Sequence, residues 1–338
     1  MNRAAIRYPY LKPPATGTLS TVAPGIEWLR MPLPFALDHV NLWLLADGAA
    51  YTAVDTGINL DPVKTAWQAV LAARPLSRLL VTHFHPDHLG LAAWLQERTG
   101  APLWITQGEY LTGQMMKHQV SSYGVPAMCE FFRRHGLDAA RVQALTDRGN
   151  AYGRGVPAIP ATFHPLREGE DVMIGGHVWQ VIIGHGHSAE HASFYCGELR
   201  VLISGDMLLP RISTNISVFS SVPESDSLDS FLTSLDRLRA LPEDTLVLPS
   251  HGLPFRGLHR RIEQLHAHHA DRCAALAQAC ATPQTAASLI PVLFPREITD
   301  THQTMFAMGE AIAHLNYLQQ AGRLTRKEEN GILHYICR

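Results

Sequence analysis

Residues 82–88 hold the densest group of potential metal ligands in the sequence. They read Thr-His-Phe-His-Pro-Asp-His and directly follow a short apolar run that predicts a buried strand. Three imidazoles and a carboxylate are costly to place near a core unless something neutralises and orients them. His83 and His85, two residues apart after a strand, point the same way and can bind one ion. Asp87 and His88 face a second position beyond the proline turn. We therefore expect a metal site here rather than a polar surface turn.

Further candidate ligands follow other predicted strands, and small residues beside them allow close approach of the backbone. Because strand ends on one edge of a sheet sandwich converge, these side chains can meet the first motif in one cleft. Together they supply enough ligands for two divalent ions, by ligand type zinc, with iron or manganese as alternatives. The additional candidates are Asp55, His185, His187, His191, Asp206 and His251.

The motifs THFHPDH, GHS, SGD and PSHG, in that order, resemble the metallo-β-lactamase-fold hydrolases. The resemblance covers roughly residues 20–255 and implies an α/β fold, an αββα sandwich with a dinuclear site on one edge. It implies that Asp206 bridges both ions and that Asp55 steadies the histidine loop from outside the ligand set. The classical lactamases of the family place a cysteine where this chain has Asp206, so β-lactam hydrolysis is not the first choice. The implied ligands are His83, His85 and His187 for the first ion, and Asp87, His88 and His251 for the second.

Three histidines compete for one ligand position in the segment 184–191. In the family pattern a Gly-His-Ser triplet precedes another histidine by four residues, which favours His187 as the ligand and leaves His191 a structural role. Gly186 would permit the sharp turn before His187. His185 is a rival, because it has the same two-residue offset seen earlier in the chain. If it is not a ligand, we expect it on the cleft wall, available to substrate.

The expected chemistry is hydrolysis by a hydroxide that bridges two ions about 3.5–4 Å apart. Asp87, a ligand that also contacts the bridging water, is the candidate catalytic residue, orienting the water or accepting its proton. The sequence has neither a G-x-S-x-G elbow nor a phosphate-binding P-loop motif to suggest a different nucleophile or a nucleotide substrate.

Composition excludes several other classes of protein. With 46% apolar and 17% charged residues and a net charge of -2, the chain is globular, with no general basic excess for nucleic acid. No run approaches the length of a membrane span, and the first residues lack the apolar core of a signal peptide. We therefore expect a cytoplasmic protein that does not associate with membranes, with its five scattered cysteines reduced and mostly buried.

Strands alternating with helices predict an α/β domain over residues 1–255, which the resemblance implies to be the metal-binding hydrolase domain, with a helical insertion over about 106–170 that lacks strands. The Met and aromatic stripe of that insertion belongs either to a core or to a lid over the substrate. A linker helix over 256–280 and a small winged-helix domain over 281–338 follow. The predicted boundaries within the last part of the chain are Ser225 as N-cap of a helix over 225–239, Thr282 as N-cap of a helix through Leu289, Asp300 as N-cap of a longer helix, and a hairpin turn at Asn330-Gly331.

The leading functional hypothesis is a hydrolase of a small-molecule ester, thioester or lactone, since an apolar segment beside a metal cleft favours an acyl group. The alternative is an endoribonuclease or phosphodiesterase, suggested by the winged helix alone. Residues 281–338 carry five basic and five acidic side chains, so charge does not support nucleic acid binding. The tail can instead form a homodimer or pack over the site. The second alternative is a non-hydrolytic di-iron redox or sensor protein. Since every candidate ligand precedes residue 252, we expect the tail to be dispensable for the chemistry.

Overall fold

Two facing β-sheets and a separate hairpin form the framework of the computed structural model, which describes residues 5–338. Residues 1–4, the start of the predicted first domain, lie outside the described residues. The first sheet contains, in spatial order, β1 (Leu19–Ala23), β2 (Ile26–Pro32), β3 (His39–Asp47), β4 (Ala50–Val54), β5 (Leu76–Leu80), β6 (Leu103–Thr106) and β7 (His164–Leu166). The second contains β12 (Leu246–Pro249), β11 (Val201–Gly205), β10 (His191–Cys196), β9 (His177–Gly184) and β8 (Asp171–Ile174), and the hairpin is β13 (Leu324–Glu329) with β14 (Ile332–Cys337).

Helices occupy both outer faces of the two sheets and build the C-terminal part of the chain. They are α1 (Asp61–Leu71), α2 (Pro86–Leu89), α3 (Ala92–Thr99), α4 (Gln107–His118), α5 (Val125–Arg134), α6 (Ala139–Arg148), α7 (Ala151–Gly155), α8 (Ser227–Leu238), α9 (Leu258–Ala279), α10 (Ala286–Leu293) and α11 (Thr301–Gln320). In the described part of the chain, none of them combines the length and the apolar character needed to cross a membrane.

Apolar cores between the sheets and on their outer faces hold the layers together. Trp28 and Trp43 of the first sheet pack against Trp179 and Phe194 of the second, which fills the space between the sheets. The helices α1 and α3 cover the outer face of the first sheet, and α8 and α9 cover the outer face of the second. This arrangement confirms the predicted αββα sandwich, because each sheet buries one face on the other sheet and one face on helices.

Parallel strand pairs bring the polar strand ends to one edge. β4 pairs with β5, and β11 pairs with β12, each in parallel register. The carboxyl ends of the two strands in a pair therefore lie at the same edge of the sheet. Backbone hydrogen bonds from Ala192 to Thr82, 2.8 Å, and from Asn41 to Ser250, 2.7 Å, join the two sheets at this edge. The residues after these four strands therefore meet in one cleft.

Part of the insertion between β6 and β7 packs into an apolar core. The expectation that residues 106–170 lack strands was wrong, because His164–Leu166 continues the parallel pairing of β6. On α5, the rings of Phe131 and Phe132 are buried in the core that contains α10, α11 and the C-terminal hairpin. The apolar stripe of α5 therefore faces a core, which it shares with the C-terminal domain.

Two predicted helix starts in the second half were wrong by a few residues. α8 is capped by Asp226, not Ser225, because the Asp226 carboxylate accepts the Asp229 N–H. α10 begins after Thr285, whose side chain forms a reciprocal cap with Ser288. The earlier candidate, Thr282, is excluded because Gln284 is held in an extended bridge to β14.

Other predictions for the C-terminal domain were correct. Asp300 caps α11, and the hairpin turns at Asn330 and Gly331, whose positive φ angles of 52° and 75° suit these residue types.

The five cysteines are free thiols, four of them buried, and burial raises the pKa of the Cys273 and Cys280 thiols to about 11.

We expect Phe132→Ala to lower the free energy of unfolding by about 3–5 kcal/mol, because it empties a buried aromatic site. The matched control is Leu111→Ala on the same insertion, whose side chain is 44% exposed and should cost little. Urea unfolding followed by circular dichroism measures both. Equal stability of the two variants would contradict the placement of α5 in the core.

Candidate metal centre

Three imidazoles converge where β5 and β9 end. Nε2 of His83 lies 2.8 Å from Nδ1 of His85 and 3.1 Å from Nε2 of His187. With a carboxylate oxygen of Asp206, these nitrogens form a group of ligand atoms within 4.8 Å of one another. Ligand nitrogens of a tetrahedral metal ion with bonds of about 2.0–2.1 Å stand slightly more than 3 Å apart, so the imidazoles have nearly the required spacing.

A second group lies beside the first. The ligand atoms of Asp87, His88 and His251 are also within 4.8 Å of one another, with Oδ2 of Asp87 3.5 Å from each of the two Nε2 atoms. Asp206 lies between the groups. Its Oδ1 is 3.3 Å from Nε2 of His251, and its Oδ2 is 3.5 Å from Nε2 of His187. One carboxylate therefore faces both groups.

Backbone carbonyls fix the orientation of two of these rings. Nδ1 of His187 is 2.7 Å from the carbonyl oxygen of Asn215, and Nδ1 of His251 is 2.8 Å from that of His39. Because a carbonyl oxygen can only accept, Nδ1 carries the proton in both rings. The Nε2 lone pairs are therefore directed at the centre.

The buried carboxylate of Asp55 orients the histidines of the first motif. It accepts hydrogen bonds from the Thr82 backbone N–H, 2.8 Å, the Thr82 hydroxyl, 3.0 Å, and Nδ1–H of His88, 2.8 Å. Since the Thr82 hydroxyl donates to Asp55, its oxygen accepts from Nδ1–H of His83 at 2.9 Å. Asp55 therefore contacts one ring directly and the other through Thr82, in agreement with its expected role outside the ligand set.

Two buried polar atoms of the centre have no hydrogen-bond partner in the described part of the protein, so a further group is needed to satisfy them. Among the described residues, Nε2 of His88 and Oδ1 of Asp206 have no hydrogen-bond partner although both are inaccessible to solvent. Burying such atoms unsatisfied costs free energy, which a positive ion between them would offset. The donor set of imidazole nitrogens and carboxylate oxygens fits divalent transition metals.

The protonation states of the first ligand group also suit metal binding. Burial, together with the neighbouring imidazoles, holds the pKa of His83 well below its usual range, and burial lowers the pKa of His85 to about 3. Burial opposes ionisation of Asp206, but His251 and His88 outweigh it and hold the pKa of that carboxyl well below its usual range. Neutral imidazoles and an ionised carboxylate are the forms that bind metals.

The structure separates the three histidines of 184–191. His187 is buried in the first ligand group, and Gly186 before it adopts a φ of 96°, as the sharp turn requires. His185 is exposed, is absent from both ligand groups, and bonds through Nδ1 to the carbonyl of Ala189 at 2.7 Å. Its ring is therefore held at the surface rather than directed into the centre.

His191 is buried and supports Asp206. Its Nε2 accepts the Asp206 backbone N–H at 3.0 Å, and its ring lies 4.9 Å from that of His83. A Cβ at position 205 would stand 2.4 Å from the His191 ring, so only glycine at Gly205 permits this approach. This placement fits the expected structural role of His191.

Glu109 joins the two ligand loops, and nothing in its sequence context signals this. From the first turn of α4, its carboxylate accepts the backbone N–H of Phe84 at 2.8 Å and that of Glu190 at 2.6 Å. Glu190 in turn accepts the Gly108 N–H at 2.7 Å. The loop carrying His83 and His85 and the loop after His187 are thereby held by one buried carboxylate.

The C-terminal domain reaches the centre through Asn215. The amide nitrogen of Asn215 donates to Glu310 on α11 at 3.2 Å, and Glu310 pairs with Arg272 of α9 at 3.2 Å. The Asn215 carbonyl is the group that orients His187. This connection argues against the expectation that the tail is dispensable for the chemistry, since the tail helps to position a candidate ligand.

We expect Glu109→Gln to lower metal affinity about 10–100-fold, because an amide cannot accept both backbone N–H groups and the ligand loops lose their common anchor. Competition with a chromophoric chelator measures the affinity. Glu97→Gln, an exposed position on α3, is the control and should leave it unchanged. Unchanged affinity in Glu109→Gln would show that the loops hold their positions without this carboxylate.

Comparison with known proteins places this geometry in a family. The profile of the Metallo-beta-lactamase superfamily matches residues 36–251, and that of the Metallo-beta-lactamase-like C-terminal domain matches residues 273–337. A beta-lactamase domain protein from Burkholderia ambifaria is 45% identical, with a TM-score of 0.92 over 98% of both chains. A metallo-beta-lactamase family protein from Thermus thermophilus is 32% identical, with a TM-score of 0.79 over 93% of this chain and 99% of its own.

Curated relatives are more distant. A Caenorhabditis elegans protein named beta-lactamase-like protein 2 homolog is 26% identical over 65% of this chain and 58% of its own length. A hydroxyacylglutathione hydrolase from Pseudomonas aeruginosa is 29% identical over 64% of this chain and 63% of its own length. The chain thus spans about three fifths of these two relatives. The family profile and the Burkholderia structure nevertheless cover most of the described residues, and the chain belongs to the metallo-beta-lactamase superfamily.

Proposed function

We propose that this protein is a dinuclear metal-dependent hydrolase of a small-molecule ester, thioester or lactone. The observation that carries the proposal is Asp206, whose two carboxylate oxygens face two separate groups of ligand atoms. A carboxylate in this position can bind two ions at once, as in two-metal hydrolytic sites. Zinc is the metal we expect first, because it favours imidazole and carboxylate ligands, with iron or manganese as alternatives.

The proposed ligand roles follow the two groups. His83, His85 and His187 would hold the first ion, Asp87, His88 and His251 the second, and Asp206 both. Bound ions supply water activation near neutral pH and polarisation of the scissile carbonyl. Asp87 would orient the attacking water and accept its proton at the carboxylate, because its side chain is 20% exposed to solvent, against 10% for Asp206.

The likeness to a protein named hydroxyacylglutathione hydrolase supports an acyl substrate.

The charges of the C-terminal hairpin do not favour the binding of nucleic acid. Arg326 pairs with Glu224 at 2.8 Å, and Lys327 is followed by Glu328 and Glu329, so the hairpin presents no basic patch. Cleavage of RNA or of a phosphodiester is therefore the second candidate.

For the metal centre, we expect about two ions per chain in the purified protein, and a loss of about one ion or more in His187→Ala and Asp206→Ala. His185→Ala is the matched control, because it removes an imidazole two residues away that belongs to neither ligand group. Mass spectrometry of the metals measures occupancy and identity. Metal lost from His185→Ala but kept by His187→Ala would overturn the ligand assignment.

For the reaction, we expect the metal-loaded protein to hydrolyse thioesters, esters or lactones with a kcat/KM at least about 100-fold above that for phosphodiesters and single-stranded RNA. Asp87→Asn should lower kcat by about 10²–10⁴-fold, the usual contribution of a positioned general base. Steady-state kinetics on matched substrates measures both. Faster cleavage of RNA than of every acyl substrate would reverse the assignment.

A further inference from the structure

Three side chains from distant parts of the chain meet near the metal centre. The ring of His302, in the first turn of α11, stacks on Phe35 with centroids 4.5 Å apart and planes inclined by 10°. Nδ1 of His302 lies 3.2 Å from Nη2 of Arg148, the last residue of α6. Phe35 comes from the loop before β3, so the hydrolase domain, its insertion and the C-terminal domain all contribute to this cluster.

The cluster lies beside the metal centre. The loop that carries Phe35 leads into His39, whose carbonyl oxygen holds the ring of His251. The helix that follows Arg148, α7, packs on Pro86, the residue before Asp87, because Gly155 leaves room for the Pro86 ring. The Asp87 carboxylate is close enough to His302 to influence the pKa of that imidazole.

The cluster carries positive charge without a carboxylate partner. Arg148 is partly buried, and in residues 5–338 no carboxylate forms an ion pair with it. Asp300 lies near enough to act on Arg148, but its Oδ1 is engaged by the Gln303 N–H as the cap of α11. The nearby Arg154, whose Nη2 donates to the Arg148 carbonyl at 2.9 Å, adds a second guanidinium. A partly buried, unpaired guanidinium is costly and favours an anionic ligand.

His302 orients the guanidinium of Arg148. Because a guanidinium can only donate, Nδ1 of His302 is the acceptor in the contact with Arg148, and the neutral ring carries its proton on Nε2. Burial and then the Arg148 guanidinium lower the pKa of His302, which agrees with a neutral ring. Stacking on Phe35 fixes the direction of the ring, so that Nδ1 holds the Arg148 guanidinium in place.

We propose that Arg148 and His302, with Phe35 as the stacking support, form a subsite for an anionic group of the substrate, a carboxylate or a phosphate. The guanidinium donates to its oxygens, and His302 keeps the guanidinium in position, while the ester, thioester or lactone bond lies at the metal centre. This inference rests on the proposed hydrolase function and narrows the substrate class to acyl compounds that carry a negative charge.

The kinetic test compares two 4-nitrophenyl esters of one chain length, mono-4-nitrophenyl glutarate and its methyl ester. With the wild-type, metal-loaded protein we expect kcat/KM to favour the anionic ester. Arg148→Gln should lower kcat/KM for the anionic ester about 10–100-fold more than for the neutral one, mainly through KM, because a charged hydrogen bond is lost. Arg148→Lys should restore part of the difference. Arg141→Gln, an exposed position on α6 paired with Asp138, is the control and should change neither substrate.

Metal content and urea unfolding are measured for the same variants to identify a merely structural role. In that case Arg148→Gln would lower kcat/KM equally for both esters, and this result would overturn the subsite. Hydrolysis of the neutral ester alone, with no dependence of selectivity on Arg148, would also overturn it while leaving the hydrolase function intact. If the wild type hydrolyses neither ester, the hydrolase proposal fails on these substrates. The subsite is then tested by a separate measurement of anion binding. Calorimetric titration of the full-length protein with monomethyl glutarate and with methyl phosphate should give affinities about tenfold weaker in Arg148→Gln. The tighter of the two probes identifies the anion, and equal affinities in wild type and variant refute the subsite.

Discussion

Each imidazole that presents Nε2 to the metal centre depends on a partner that occupies its Nδ1–H. Four such partners come from four places: the Asp55 carboxylate, the Thr82 hydroxyl, and the backbone carbonyls of His39 and Asn215. A free imidazole interconverts between tautomers and rotates about its side-chain bonds, so ligands without these partners would pay an ordering cost on binding. The sandwich meets this requirement because both sheets end at the same edge, where strand-end backbone and side chains supply the acceptors.

This requirement also explains why the C-terminal domain is built into the hydrolase domain. Asn215 lies in an irregular segment after β11 and has no strand neighbour to fix its carbonyl. The amide contact with Glu310 and the pairing of Glu310 with Arg272 supply that support from α11 and α9. Burial raises the pKa of Glu310 to about 7, and Arg272 and Asn215 oppose the shift. Burying the Glu310 carboxylate in order to support Asn215 therefore costs free energy. Such a cost is consistent with a positioning role rather than a contribution to stability.

Local patterns in the sequence were enough to predict an α/β domain and to select residues that meet at the centre, and the family resemblance implied the sandwich. The first motif is contiguous, and His187, Asp206 and His251 each follow a strand whose apolar run is recognisable. What could not be predicted depends on contacts between distant segments. Glu109 is a single carboxylate in an ordinary amphipathic helix, and its partners lie 25 and 81 residues away. The helix starts at Asp226 and Thr285 were missed because neighbouring residues had equally suitable side chains, and tertiary contacts decided between them.

The origin of the side chains around the cleft has a consequence for how such a protein can diverge. The candidate ligands lie at the ends of strands in the two central sheets, whereas Arg148, His302 and Phe35 come from an insertion, an appended domain and a loop. In the proposed assignment, metal ligation and substrate selectivity are therefore encoded in separate segments of the gene. In that assignment, substitutions of these three side chains change which substrate binds while the ligands at the strand ends stay the same.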